Sequence, residues 1–337
     1  MTSHPQHPDD SHLLSDSDVG VGVGVGVDVG VGVGASSTST STSTSTSTST
    51  STSSVCVGSP LRTNCQARAV RLGPRSIAAL ALVSAIGVMA FGWPLLADSA
   101  SGLAHSKDAP WLFAALLPML LAVVVATIAD TGLDAKAIAM LGVLAAAGAA
   151  MRPLGAGTAG IEPMFFLMVL SGRVLGPGFG FVLGSVAMFA SALLTGGVGP
   201  WMPFQMLTMG WVSMGAGLLP GPDRLRGRRE LAMLAAYGAV SAVLYGLIMN
   251  LQGWPYIGGM TSGVSFVPGD PLEENLARYI AYCLATSLGW DLPRALVTVI
   301  LTFTLGGTVL KALRRATRRA AFDVPVTFTS DPPRGAA

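Results

Sequence analysis

The segment MRPLGAGTAGIEPMFFLMVLSGRVLGPGFGFVLGSVAMFASALLTGGVGPWMPFQMLTMGWVSMGAGLLPG, residues 151–221, decides the fold class of this chain. Its long apolar stretches are broken only by short polar clusters, and its ionisable residues are Arg152, Glu162 and Arg173. Runs of about 20 apolar residues are long enough to cross a bilayer core of about 30 Å. A soluble domain, by contrast, needs charge on roughly a quarter of its residues to coat its surface. The same texture extends outward from Ser76 to Leu310, and the whole chain is 51% hydrophobic and 11% charged. The expected class is therefore an all-α polytopic membrane protein.

Eight apolar segments are read along the chain, at 76–97, 111–129, 135–151, 161–173, 174–195, 202–219, 231–250 and 291–310. The fourth has a short apolar heart, Ile161 to Leu170, of a length that also suits a re-entrant segment. The distribution of charge favours a crossing. With eight crossings and the N-terminus inside, the cytoplasmic stretches hold Arg62, Arg68, Arg71, Arg75, Lys136, Arg173, Arg224, Arg226, Arg228, Arg229 and the basic tail from Lys311 onward. Only Lys107, Arg152, Arg278 and Arg294 stay outside, which is the bias that positive-inside insertion produces. Losing the fourth crossing would carry the arginine-rich loop at 221–230 to the outside. The expected localisation is the plasma membrane, multi-pass, with both termini cytoplasmic.

Residues 1–75 read as a disordered cytoplasmic tail. Val19–Gly34 alternates Val and Gly around Asp28, and Ser36–Ser54 is nearly strict Ser/Thr alternation. Neither tract offers enough side chain to build a core; a modified stalk is the other reading. No basic stretch followed by an apolar one opens the chain, so a secretory signal is not expected. Cys56, Cys65 and Cys283 lack metal-ligand spacing. The four histidines lie in the tail or in one hydrophilic loop, so no metal or cofactor is expected. At the other end, residues 314–337 read as a basic cytoplasmic tail.

Ionisable groups inside a membrane are costly and are candidates for function by default. Here Arg152, Glu162, Asp291 and Arg294 fall near the outer ends of their helices. Trp201, Gln205, Asn250, Gln252, Trp254, Tyr256 and Trp290 sit at similar depth. Such a cluster suits capture of a polar, ring-containing small molecule by stacking and directed hydrogen bonds. The structural alternative is that Trp and Tyr are interface anchors. In that reading Arg152 pairs with Glu162, and Arg294 with Asp291, three residues apart on one helix face. Residues 275–288 read as an amphipathic helix at the outer interface, or else as the outer part of one long last helix. GWDLP at 289–293 reads as a fresh helix start, with Asp291 as cap.

Small residues mark two helices. The third segment carries Ala145/Ala149 and Ala146/Ala150 at AxxxA spacing, and the fifth carries Gly176, Gly180 and Gly184 every four residues. Both spacings let helices approach closely. The glycine run is not a nucleotide loop, because no GxxxxGK[ST] pattern is present. GxSxG and HExxH are also missing from the sequence, and Ser171, Ser185, Ser191 and Ser213 have no histidine near them in sequence. The expected protein is not an enzyme, and no nucleic-acid partner is expected.

From about 135 to 320 the chain resembles the substrate-binding S components of energy-coupling-factor transporters, in the actinobacterial style. The resemblance rests on residues 151–221 with their GRVLGPGFGFVLG element, on TSLGWDLPRAL at 286–296 and on the basic KALRRATRR tail. It implies a six-helix core at 131–313, preceded here by two extra helices at 76–130. It further implies capture of a vitamin or related micronutrient, riboflavin-like or cobalamin-like among others, by the 152–162 loop, Trp201, Gln205 and the 250–258 region. Ala145/Ala149 or Ala146/Ala150 would dock onto a transmembrane coupling subunit, itself bound to two ATPases in the lipid bilayer. A stand-alone secondary transporter or channel for a small polar solute is the alternative, and a membrane-embedded enzyme the least favoured class.

Overall fold

The structure, a computed structural model, describes residues 73–96, 116–130, 135–155, 160–221, 224–257 and 263–320. The Gly-Val and Ser/Thr tracts, and the chain beyond residue 320, lie outside the described residues.

Among the described residues every regular element is helical. The helices are α1 (Pro74–Leu96), α2 (Leu116–Asp130), α3 (Ala135–Met151), α4 (Met164–Leu175) and α5 (Pro177–Thr195). They continue as α6 (Met202–Leu218), α7 (Arg228–Gly253), α8 (Leu272–Thr286), α9 (Leu288–Thr304) and α10 (Gly306–Ala320). Short 3-10 turns, Pro153–Gly155 and Trp254–Tyr256, follow α3 and α7.

Four stretches are long and apolar enough to cross a membrane: Pro74–Leu95, Ala135–Gly155, Pro177–Thr195 and Arg228–Tyr256. The α8–α9 pair makes a fifth if it is counted as one span bent by 65°. The protein is thus a helical protein with the dimensions of a membrane bundle. Eight spans do not follow from length alone, because α2, α4 and α6 have 15, 12 and 17 residues.

The centre of the bundle is α4, buried along its whole length from Met164 to Leu175. Its end is set by Gly176, whose φ of 95° is left-handed and open to glycine. Pro177 then starts α5, where its missing N–H costs nothing. The expected glycine face of α5 lies against the α6 backbone. A Cβ at Gly180 would meet the Ser213 carbonyl, and one at Gly184 the Met209 carbonyl. From the other side, Gly210 faces the Phe181 ring, and Gly217 faces the Gly176–Pro177 turn. Backbone-on-backbone packing of this kind supplies van der Waals contact where lipid gives no hydrophobic drive.

Both N-terminal helices pack onto this core. Phe91 meets Phe204 edge-on at 4.8 Å, and the Trp211 indole N–H donates to Ser84 Oγ at 2.9 Å.

Two ion clusters mark opposite ends of the bundle. At one end Glu230, at the start of α7, accepts Arg173 Nε from the end of α4 at 2.9 Å and Arg314 from α10 at 2.6 Å. At the other, Arg294 near the start of α9 gathers Glu162 and Asp291. Along α7, Glu230 and Gly246, which touches Asp291, are separated by roughly 24 Å of helix rise. The connector and helix from Glu162 to Arg173 carry the chain from one cluster to the other.

The last part of the chain differs from the expected single helix over 291–310. It is interrupted at Leu305, so that α9 and α10 are separate. Gly306 and Gly307 are weak helix formers, and Thr302 and Thr304 turn their hydroxyls back to the Thr298 and Ile300 carbonyls. Residues 314–320 belong to α10. Residues 275–288 fall largely in α8, which runs from Leu272 to Thr286 and meets α9 at a 65° bend, so the two do not form one straight last helix. Asp291 is not a cap. Helix α9 begins earlier, at Leu288, and Asp291 is a buried member of its first turns.

Candidate functional site

A cavity of ≈ 320 Å³ opens between Arg152 and Glu162, the start of α6, the last turns of α7 and the α8–α9 bend. Of the eleven residues singled out in the sequence at this depth, Arg152, Glu162, Gln205, Asn250, Asp291 and Arg294 line it. Trp290 lines it as well.

Each group reaches the cavity for a local reason. Arg152 follows the last turn of α3, where Pro153 opens a 3-10 turn. Glu162 lies just after Gly160, whose φ is 92°. A Cβ at Gly160 would strike the Trp290 carbonyl, so glycine lets the connector close onto the start of α9. On α7, Tyr245, Gly246, Met249 and Asn250 recur at helical spacing on one face. Gly246 is the tightest of them. A Cβ there would collide with both carboxylate oxygens of Asp291, so the helix comes close enough for the acid to be enclosed.

The polar groups form a directed network. Arg294 donates Nε to Glu162 Oε2 at 2.6 Å and a terminal nitrogen to Asp291 Oδ1 at 2.7 Å, with the Ala242 carbonyl at 3.4 Å. Its guanidinium sits 5.3 Å from the Phe165 ring centre and 5.4 Å from that of Tyr245. Asn250 donates to Ser287 Oγ at 2.6 Å and approaches Cys283 Sγ at 3.4 Å, tying α7 to the bend. The pairing of Arg294 with Asp291 is the one expected. Arg152, however, does not pair with Glu162. Its terminal nitrogens donate to Gln205 Oε1 at 3.2 Å, Met188 Sδ at 2.8 Å and Ser191 Oγ at 3.4 Å.

Comparison with known protein families, curated proteins and solved structures finds no match. The site is therefore read from its own geometry.

Three of the predicted aromatic residues stand elsewhere. Trp201 is 44% exposed and bonds back to the Gly197 carbonyl at 3.2 Å. Trp254 is fully buried in a second core with Tyr279, Tyr282 and Phe266, its indole N–H on the Val264 carbonyl at 2.7 Å. Tyr256 stacks near Trp93, 6.0 Å between ring centres. Trp254 and Tyr256 hold packing positions and Trp201 an exposed one, and sequence depth alone does not separate any of them from cavity positions. Gln252, placed at the same depth, is buried outside the cavity lining.

The sequence reading missed Tyr245, Gly246, Met249, Tyr282, Thr286 and Ser287. The α7 members could have been found by stepping one turn back from Asn250. The α8 members depend on the angle of the bend, about which the helix start read at 289–293 says nothing.

The alanine pairs of α3 divide. Ala145 and Ala149 are buried in the bundle, so that face is already occupied. Ala146 and Ala150 are exposed. The Ser185 and Ser213 hydroxyls are engaged with the Met206 and Met168 carbonyls. Among the described residues, no group of three His, Cys, Asp or Glu side chains is placed to hold a metal ion.

Proposed function

We propose that this chain is a non-enzymatic membrane subunit that captures a small micronutrient in the cavity bordered by the α8–α9 bend. Its place would be that of the substrate-specific S component of an energy-coupling-factor importer, embedded in the plasma membrane. The observation that carries the reading is the convergence of four charged side chains and two amides from five separate parts of the chain on one cavity at one end of an apolar bundle. Buried ionisable groups in such a bundle are expensive and are retained where they bind or transport. The volume lies at the lower end of small-molecule pockets, about 300–1,000 Å³. A one- or two-ring compound suits a cavity of this size.

In this reading all eight apolar segments cross. The short α4 rises only about 18 Å, yet its flanks reach both ion clusters, so it serves as a crossing buried within the bundle. The end with Arg173, Glu230 and Arg314 would face the cytoplasm, together with both termini. Energy would come from partners: a transmembrane coupling subunit carrying two ATPases, docked along the exposed Ala146/Ala150 face of α3.

One observation favours a second reading. Counted as one span, the α8–α9 pair would be a helix bent by 65° with Asp291 and Arg294 just past the bend, an arrangement that stand-alone secondary transporters use. Affinity purification from a native type of host, with mass spectrometry of proteins and small molecules, separates the two. Recovery of two ATPases, a coupling subunit and a bound micronutrient supports the importer. Partner-free protein that drives uptake into liposomes on an ion gradient would sink it.

A further inference from the structure

The two arginines of the cavity are treated differently by the fold. Arg294 is held by both acids of the site, Glu162 and Asp291, and lies between two aromatic rings. With both acids ionised, that assembly carries one net negative charge. Among the described residues Arg152 is held only by neutral acceptors: an amide oxygen, a thioether and a distant hydroxyl. A thioether is a weak acceptor, and a guanidinium carries five N–H donors, so much of its capacity is unspent. Among the described residues no carboxylate lies within ion-pairing distance of Arg152. The neighbouring stretch 156–159, AGTA, contains no acid either.

The cavity therefore has a positive wall at Arg152 and a negative wall at Glu162, Asp291 and Arg294. Glu162 Oε2 is committed to Arg294, while Oε1 has no protein partner among the described residues. Trp290, 49% exposed, and Tyr282 also line the cavity. An anion alone would satisfy one wall and be repelled by the other, and a cation likewise.

We propose that the cavity selects a small zwitterion built on a ring. Its carboxylate or phosphate group sits on Arg152, and its ammonium or N–H donor sits on Glu162. This inference rests on the cavity being the capture site.

The test uses the full chain in detergent and four probes: 4-(aminomethyl)benzoate, its phosphonate analogue, its methyl ester and 4-methylbenzoate. Binding is followed by calorimetry and by the melting temperature. A zwitterionic probe is expected to bind at least tenfold tighter than the ester or the benzoate. The better of the carboxylate and phosphonate names the acid group. Arg152→Gln is expected to remove this preference by lowering zwitterion affinity at least tenfold, with Arg152→Lys retaining part of it. Far-UV circular dichroism of each variant checks that it folds. Binding of the ester or the benzoate as tight as the zwitterions, or zwitterion binding untouched by Arg152→Gln, overturns the charge inference alone. Failure of all four probes at millimolar concentration overturns the inference. If Gly246→Leu, which fills the cavity wall, also leaves a natively co-purified small molecule in place, the capture reading falls with it.

Discussion

Glu230→Gln is the most informative single change away from the cavity. Glu230 is 2% exposed and accepts two charged donors, Arg173 at 2.9 Å and Arg314 at 2.6 Å. Glutamine keeps the shape and one acceptor oxygen, so the change removes charge and little else. It strands Arg173, whose side chain is 3% exposed and already has one terminal nitrogen without a partner among the described residues. Uncompensated buried charges of this kind cost about 3–5 kcal/mol. Arg314→Gln is the control. Its side chain is 31% exposed, and Glu230 would keep Arg173, so screening holds the loss to about 1 kcal/mol. In Glu230→Gln/Arg173→Met the stranded charge is gone, and most of the loss is expected to return, since apolar replacement of a buried pair is often neutral. Denaturant titration of the purified protein, read by circular dichroism, measures all three. A Glu230→Gln loss no larger than that of Arg314→Gln, or a double variant weaker than Glu230→Gln, would refute the reasoning.

Other consequences are equally direct. Gly184→Leu, which drives a side chain into the Met209 carbonyl, is expected to separate α5 from α6 and cost about 3 kcal/mol or more in the same titration. Asn275→Ala should loosen the loop before α8, because Asn275 bonds both the N–H and the carbonyl of Val267, at 3.1 and 2.8 Å; faster cleavage of 257–272 by limited proteolysis reads this out. In a chain freed of its native cysteines, Val198→Cys should react in intact cells with a membrane-impermeant maleimide. Arg229→Cys should react only after lysis, and the reverse pattern would invert the proposed topology.

The site was legible where cost forces a choice. Arg152, Glu162, Asp291 and Arg294 are the ionisable groups in apolar surroundings near one end of the helices, and such groups must find one another. Their partners were less legible. Glu162 reaches Arg294 across more than a hundred residues rather than its neighbour Arg152, and no local pattern encodes that choice. Trp254 and Trp201 look alike in sequence, yet one is enclosed by Tyr279 and Phe266 while the other faces outward. Glycine spacing on α5 was readable because Gly180 and Gly184 serve only packing. Gly246 was not, because its partner is a carboxylate on α9. The break at Leu305 lies inside an apolar run that reads equally well as continuous helix, whereas the bend at Ser287 left a trace in the GWDLP helix start but none of its angle.

The central claim is that a small molecule is captured in this cavity. The measurement that tests it most directly is a high-resolution structure of the protein purified from its native membrane, with nothing added. Density for an ordered non-protein molecule between Arg152 and Trp290, touching Glu162, is the predicted result. An ordered small molecule elsewhere in the bundle, or a cavity occupied by water alone in protein that retains a stoichiometric bound compound, would contradict it.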